Sequence, residues 1–246
     1  MNELSVGLIA GELRGRAGRA LQCLLAQTAV ERMEIIVVDL NPEMGPLEGR
    51  EHSSVRTLNR GDFKYYCEAQ AELAAQAQAP LLAFIEDHCY AVPRWAEAIL
   101  DKFQDPKVSA VNYTFVPAAS GYMCRSILMA EYGLWMAPHP AGPIRIASST
   151  NIAYRRDLLA AMIQSDPALL EAEFLVHRAI QKKGEIHVAP EAMVAHETWS
   201  TLREACLANG ANKQVLGSRR AMDGNWRLPR KVLWAAATSQ IGRAHV

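Results

Sequence analysis

Residues 81–95 read LLAFIEDHCYAVPRW, and this stretch decides the fold. Five apolar residues, Leu81 to Ile85, run without a break into Glu86-Asp87-His88, and the sequence resumes with Pro93, Arg94 and Trp95. A short continuous apolar run marks a strand buried on both faces of an α/β sheet. Acidic side chains at the carboxyl end of such a strand lie where open α/β sheets bind ligands. Two carboxylates and an imidazole there can hold a divalent cation, Mg²⁺ or Mn²⁺, together with a phosphorylated ligand. The plainer alternative is a solvated loop after a strand, so the decision rests on the order of everything around it.

The chain has 246 residues, 50% of them hydrophobic and 21% charged, with zero net charge. That length supports one sizeable core. No apolar run approaches the roughly 18–20 residues of a membrane span. The opening MNELSVGLIAG has no basic residue before its apolar run and carries Glu3, so it does not read as a secretory signal. Cys23, Cys67, Cys89, Cys124 and Cys206 form no C-x-x-C pair and read as reduced thiols of a cytoplasmic protein.

The charge is unevenly placed. Residues 201–246 hold eight Lys/Arg against two acids, a net +6, which leaves −6 for residues 1–200. Trp226, Leu228, Val232, Leu233 and Trp234 are interleaved with Arg219, Arg220, Arg227, Arg230 and Lys231. Such amphipathic helices over 201–240 suit either an anionic membrane face or packing of one face on the core, so peripheral attachment to the inner face of the cytoplasmic membrane is one expectation. Ile241–Val246 (IGRAHV) can be encoded by a string that resembles a sequencing adapter. It reads as a scar, with the natural chain continuing beyond about Gln240.

Upstream, Leu4–Ala10 reads as a first strand, Gly11–Gly18 as a loop and Arg19–Gln27 as a helix. Strands follow at Glu34–Asp39 and Ser53–Leu58, then a helix over Tyr65–Gln78, the strand Leu81–Ile85, a helix Arg94–Phe103 and a strand Val108–Val116. Strands alternating with helices predict a single α/β domain over 1–200 with a mainly parallel sheet. The second half predicts a helix over Gly121–Gly133, a lid-length loop Ala137–Ser149 and a helix around Arg156–Ile163. A helix Pro167–Lys183, stopped by Gly184, and short strands Ile186–Ala189 and Met193–His196 complete it.

A dinucleotide-binding reading of the first seventy residues fails on spacing. Gly11, Gly15 and Gly18 give G-x3-G-x2-G, whereas the tight turn and close pyrophosphate approach need G-x-G-x-x-G.

The order SVGLIA, RALQCLLAQT, EIIVVD, LAFIEDH, PRW, SSTNIAYRRDLL, EAEFL, KKG and VAPEAMVAHE resembles a family 2 glycosyltransferase of the GT-A fold along nearly the whole chain. The resemblance implies that Asp39, ending V-V-D, contacts the nucleotide base. Glu86-Asp87-His88, standing where that family has its D-x-D cluster, would hold the metal on a sugar-nucleotide diphosphate, with His196 close by. Asn151, Arg155 and Arg156 fall in the segment bordering sugar and acceptor. The catalytic carboxylate falls on Glu173 or Glu171, which point about 200° apart on a helix. Counting back from Gly184 favours Glu173. Three departures stand out. His88 replaces a carboxylate, Gln70-Ala71 replaces the Arg-bearing segment that helps bind diphosphate, and Ala10-Gly11-Glu12-Leu13 replaces the first-strand motif.

The activity so implied is inverting transfer of a sugar from a UDP- or GDP-sugar to a saccharide or lipid-linked acceptor, in cell-surface polysaccharide or glycolipid synthesis. The departures leave a second expectation, a sugar-nucleotide-binding scaffold of the same fold without turnover.

Overall fold

The computed structural model describes residues 2–63, 66–148, 150–165, 170, 173–199, 201 and 203. The basic tail from 204 onward, with its membrane contact and its last six residues, lies outside the described residues, as do Ser149 and Glu171. The elements run β1 (Leu4–Ala10), α1 (Arg14–Leu25), β2 (Met33–Asp39), β3 (Val55–Asn59), α2 (Tyr66–Gln76), β4 (Leu81–Glu86), β5 (Cys89–Ala91), α3 (Trp95–Lys102) and β6 (Val108–Pro117). They continue with α4 (Tyr122–Tyr132), β7 (Gly142–Pro143), β8 (Ile152–Arg155), α5 (Arg156–Ser165), α6 (Glu173–Gln181) and β9 (Glu185–His196).

The strands form one sheet in the order β3-β2-β1-β4-β8-β6-β9-β5, with β7 beside β5 on the edge of β9. Among the described residues β1, β2, β3, β4, β6 and β9 point one way, and β5, β7 and β8 the other. All seven residues of β1 and of β2 are buried, as helix-covered parallel strands require. On one face α1 contributes Ala17, Ala20, Leu21 and Leu24, and α3 contributes Trp95, Ile99 and Leu100. On the other face α2 contributes Ala69, Leu73 and Ala74, joined by Val176 and Ile180 of α6.

Register fixes what faces the ligand edge. Ala10 pairs with Asp39, and Ile9 with Glu86, so β1, β2 and β4 end together. The chain leaves β1 for β2 and β3 on one side and returns to β4 on the other. That reversal opens the crevice in which open α/β sheets bind ligands.

Three local expectations change. Helix α1 begins at Arg14, inside the expected loop, because ion pairs distant in sequence, Arg14 to Asp39 and Arg16 to Glu197, anchor a start that two glycines weaken. The two expected strands near the C-terminal end are one, β9. Pro190 sits in an irregularity of its pairing with β6, where its carbonyl accepts from the Thr114 hydroxyl at 2.8 Å. The loop 137–149 is tied down rather than lid-like, since Gly142 and Pro143 pair with β9 and the Trp135 indole donates to the Ile146 carbonyl. Gly184, after α6, is required by close approach, because a Cβ there would stand 2.9 Å from the Lys107 carbonyl.

At the opposite end of the sheet a buried acid serves structure. The Glu34 carboxylate accepts from the Ser5 hydroxyl and from the amides of Gln78 and Ala79, at 2.6 and 3.1 Å. Replacing Glu34 with Ala strands these donors in a dry interior. Urea unfolding of Glu34→Ala is therefore expected to show a loss of about 2–4 kcal/mol, and a loss below about 0.5 kcal/mol would contradict this role.

Candidate functional site

The site is built at the turn Asp87-His88, which carries the chain from β4 into β5. Glu86 ends β4, and Cys89 begins β5. β5 is antiparallel to β9 with Cys89 opposite His196. Directly opposed residues of an antiparallel pair present their side chains on one face. The turn therefore curls the β9 end of the sheet back over the end of β4. The His196 Nε2 comes to 3.6 Å from the Glu86 Oε2, although β8 and β6 separate their strands along the sheet.

Glu86 is held from several sides. Its Oε2 accepts from the Asn151 side-chain amide and from the Tyr132 hydroxyl at 2.9 Å, while its backbone N–H donates to the Asn151 Oδ1 at 3.2 Å. The Cys89 thiol donates to the same carboxylate oxygen at 3.8 Å. Burial alone would raise the Glu86 carboxyl. The opposing charge of His88, the neighbouring His196 ring and the Asn151 donor outweigh it and hold the group well below the usual carboxylate range.

The two histidines differ. Burial pulls His88 down, but Glu86 and Asp87 override it and raise its pKa; its Nδ1 lies 2.9 Å from the Asp87 Oδ1. Burial dominates at His196 and lowers its pKa, with His88 acting in the same direction. His196, 3% exposed, packs on the rings of Tyr132 and Phe115, and neither of its ring nitrogens has a hydrogen-bond partner. A buried neutral imidazole with both nitrogens unpaired is suited to ligate a metal. Glu86, Cys89 and His196 offer ligand atoms all within 4.8 Å of one another, a group consistent with a divalent cation.

Asp87 turns toward the start of the chain, where its Oδ2 accepts from the Gly11 amide at 3.2 Å. Asp39 is 4% exposed and gripped in a fork by Arg14, at 2.6 and 2.9 Å; its Oδ1 also accepts from the Asn41 amide. The Arg14 guanidinium also donates to the Gly45 carbonyl, while its Nε is buried without a partner. The Tyr66 hydroxyl, likewise buried and unpartnered, is pushed well above its ordinary value, first by burial and then by the charges of Glu86 and Asp87.

Asp39, Glu86, Asp87, His88, Asn151 and His196 thus come to one edge. Gln70 is buried in α2, with its neighbours Ala69 and Leu73 in the core beneath the sheet. Arg155 and Arg156 are not brought to this edge. Arg155 pairs with Leu81 at the start of β4, about 16 Å along the strand from Glu86 at roughly 3.3 Å per residue. Its guanidinium donates to the carbonyls of Val108, Phe103 and Asp105, and that of Arg156 to those of Ala77 and Gln78. The physical reason is the direction of β8, which runs away from the site. Glu173 opens α6, while its side chain and Glu171 lie outside what the structure describes.

Sequence reasoning missed Arg14, Cys89, Tyr132 and Glu197. Glu197 accepts from the Tyr90 hydroxyl and pairs with Arg16 at 2.8 Å, and its amide donates to the His88 carbonyl at 2.9 Å. Only Cys89 carried a local signal, three residues after Glu86. The others depend on pairings that no local pattern shows.

No family model matches the chain, and no curated protein matches it in sequence. Many solved structures share its architecture, three of them as follows. The mannosyltransferase PcManGT from Pyrobaculum calidifontis, in complex with GDP-Man and Mn²⁺, superposes with a TM-score of 0.65 at 13% identity over 96% of this chain and 69% of that one. GalNAc-T7 with UDP, GalNAc and Mn²⁺ gives 0.60 at 14% identity over 80% of this chain, which spans only 43% of GalNAc-T7. A mycobacterial protein gives 0.55 at 17% over 88% and 73%. The chain has a GT-A-like glycosyltransferase fold.

His177 of α6, 4% exposed, is held down to about 4 by burial, against a hydrogen bond that its ring donates to the Ser148 backbone carbonyl. Its folded pKa lies below the unfolded value of about 6.5, so the unfolded state binds the proton first and stability falls as the pH drops through that window. Between pH 7 and pH 5 this one group is expected to remove about 2 kcal/mol. Denaturation of wild type and His177→Gln at both pH values checks it: the variant should lose correspondingly less stability on acidification.

Proposed function

We propose that this chain is a glycosyltransferase of the family 2 type, with E-D-H in place of D-x-D. It moves a sugar from a UDP- or GDP-sugar to an acceptor hydroxyl with inversion. The observation that carries this reading is the meeting of Glu86 and His196 at the ligand edge, beside Asp87 and within the same crevice as Asp39. The neighbours of like fold were crystallised with a UDP or GDP-sugar and Mn²⁺, which supports it.

The buried, unpaired nitrogens of His196 beside an ionised Glu86 fit a cation. Glu86, Asp87, His88 and His196 would hold Mn²⁺ or Mg²⁺, which when bound supplies positive charge to the departing diphosphate. Asn151 and Tyr132 fix the Glu86 carboxylate, so its orientation is set before the donor arrives. Asp39 meets the nucleobase as a pair with Arg14, and the unpartnered Arg14 Nε gives this pair a donor for a base carbonyl. Glu173, or Glu171, takes the proton of the attacking hydroxyl. The acceptor is a saccharide or lipid-linked chain at the cytoplasmic side of the membrane. Exposed Tyr122, Met123 and Met129 on α4, the helix that carries Tyr132, favour an apolar portion.

One observation favours a binding scaffold without turnover: Arg14 already occupies both oxygens of Asp39. A panel of UDP- and GDP-sugars, with and without Mn²⁺, separates the readings. Turnover should require the cation. Asp87→Ala should abolish Mn²⁺-dependent sugar-nucleotide binding in calorimetry with the fold intact. Glu173→Gln should lower turnover roughly 10²–10⁴-fold with binding little changed. If Glu171→Gln shows that pattern instead, the base lies two residues earlier. Metal-independent binding with no turnover of any donor would establish the scaffold.

A further inference from the structure

We propose that Cys89 is a further metal ligand, adding a thiolate to the carboxylate of Glu86 and the imidazole of His196. Such a set selects Zn²⁺ or Co²⁺ over Mg²⁺. This deepens the glycosyltransferase reading and rests on it for what the cation does, whereas the ligand set rests on geometry alone.

The geometry is set by the backbone. Cys89 and His196 are directly opposed in the β5–β9 ladder, and Glu86 is joined to Cys89 by the two-residue turn. All three ligand atoms therefore reach one point without a change of register. Metal bonds of about 2.0–2.3 Å put tetrahedral ligand atoms roughly 3.3–3.8 Å apart. The Glu86 Oε2 lies 3.6 Å from the His196 Nε2 and 3.8 Å from the Cys89 Sγ, and no pair in the group exceeds 4.8 Å.

Buried cysteines are ordinarily inert packing residues. Cys89 differs in facing an ionised carboxylate and a buried imidazole with no partner on either nitrogen, rather than apolar side chains alone. Asp87 pairs with the His88 Nδ1 and accepts from Gly11, while the His88 Nε2 comes to 3.8 Å from the Glu86 Oε2 without joining the group whose ligand atoms all lie within 4.8 Å of one another. Three protein ligands with a remaining coordination position is the arrangement of a Zn²⁺ site open to substrate. On binding, a metal–sulfur bond replaces the thiol S–H, and the proton passes to solvent. Sulfur is a soft donor that favours Zn²⁺ and Co²⁺, while Mg²⁺ prefers oxygen.

The test is Co²⁺ titration of the metal-free full chain in a phosphine reductant. Wild type should develop a near-ultraviolet sulfur-to-cobalt charge-transfer band, which added Zn²⁺ abolishes and excess Mg²⁺ leaves in place. Cys89→Ser and Cys89→Ala should lose the band, and Zn²⁺ affinity should fall about 100-fold or more. Serine preserves size, and circular dichroism confirms that each variant is folded. Variants of Cys23, Cys67, Cys124 and Cys206 should keep the band. A wild type without the band, a band that survives in Cys89→Ser, or displacement of Co²⁺ by equimolar Mg²⁺ would each overturn the ligand assignment. Turnover assayed in parallel separates the two readings. Mn²⁺-dependent transfer without the band rejects Cys89 alone, while the band without transfer of any sugar supports Cys89 and rejects the activity.

Discussion

Everything at the ligand edge depends on the two-residue turn between β4 and β5. In a flat sheet β4 and β5 would lie four strand spacings apart, about 19 Å at the usual 4.7–4.9 Å. A turn of two residues cannot span that distance, so the sheet must curl until β5, paired to β9, reaches the end of β4. β8 is short and ends well below Glu86, and Asn151 at its start fills the space that the curl leaves. The contact between Glu86 and His196 is thus a consequence of chain connectivity. The ladder Cys89↔His196, Tyr90↔Ala195 and Ala91↔Val194 locks it.

The same constraint explains the electrostatics. Closing the sheet buries an acid, two histidines and a thiol together, and each would be costly alone. Glu86 stays ionised because the curl brings it the donors Asn151 and Tyr132 and the opposing charge of His88, with the His196 ring 3.6 Å away. The thiol is pushed the other way, first by burial and then by the adjacent carboxylates. Trp95 anchors the arrangement from below. It is fully buried and sets its ring edge-on to Tyr113, whose hydroxyl donates to the Phe84 carbonyl in β4 at 3.1 Å.

Much of this was legible in sequence because buried parallel strands write themselves as unbroken apolar runs. LSVGLIA, EIIVVD and LLAFIE need no tertiary information, and once they align, Asp39 and Glu86 share an edge. What failed depended on partners far along the chain. Helix α1 starts at Arg14 because Asp39 and Glu197 hold it, not because its residues favour a helix. Arg155 and Arg156 belong to a strand whose direction is set by antiparallel pairing with β4 and β6, and reversal of that one strand moves them to the far edge. Cys89 lay in plain view beside the acids, but its meaning comes only from the residue opposite it.

The two ends of the sheet hold their buried carboxylates in different company. At the end holding Glu34, the acid, the Ser5 hydroxyl and the amides of Gln78 and Ala79 satisfy one another. At the other end Arg14 Nε, the Tyr66 hydroxyl and both nitrogens of His196 are buried without partners. Each such group costs about 1–3 kcal/mol relative to a paired one. Thr57 Oγ1, Trp95 Nε1, His177 Nε2 and His187 Nδ1 are also buried without partners elsewhere among the described residues, so open groups are not confined to one end. What marks the Glu86 end is that its unpaired groups stand beside strand ends, a chain reversal and a buried carboxylate, a combination the Glu34 end does not show among the described residues.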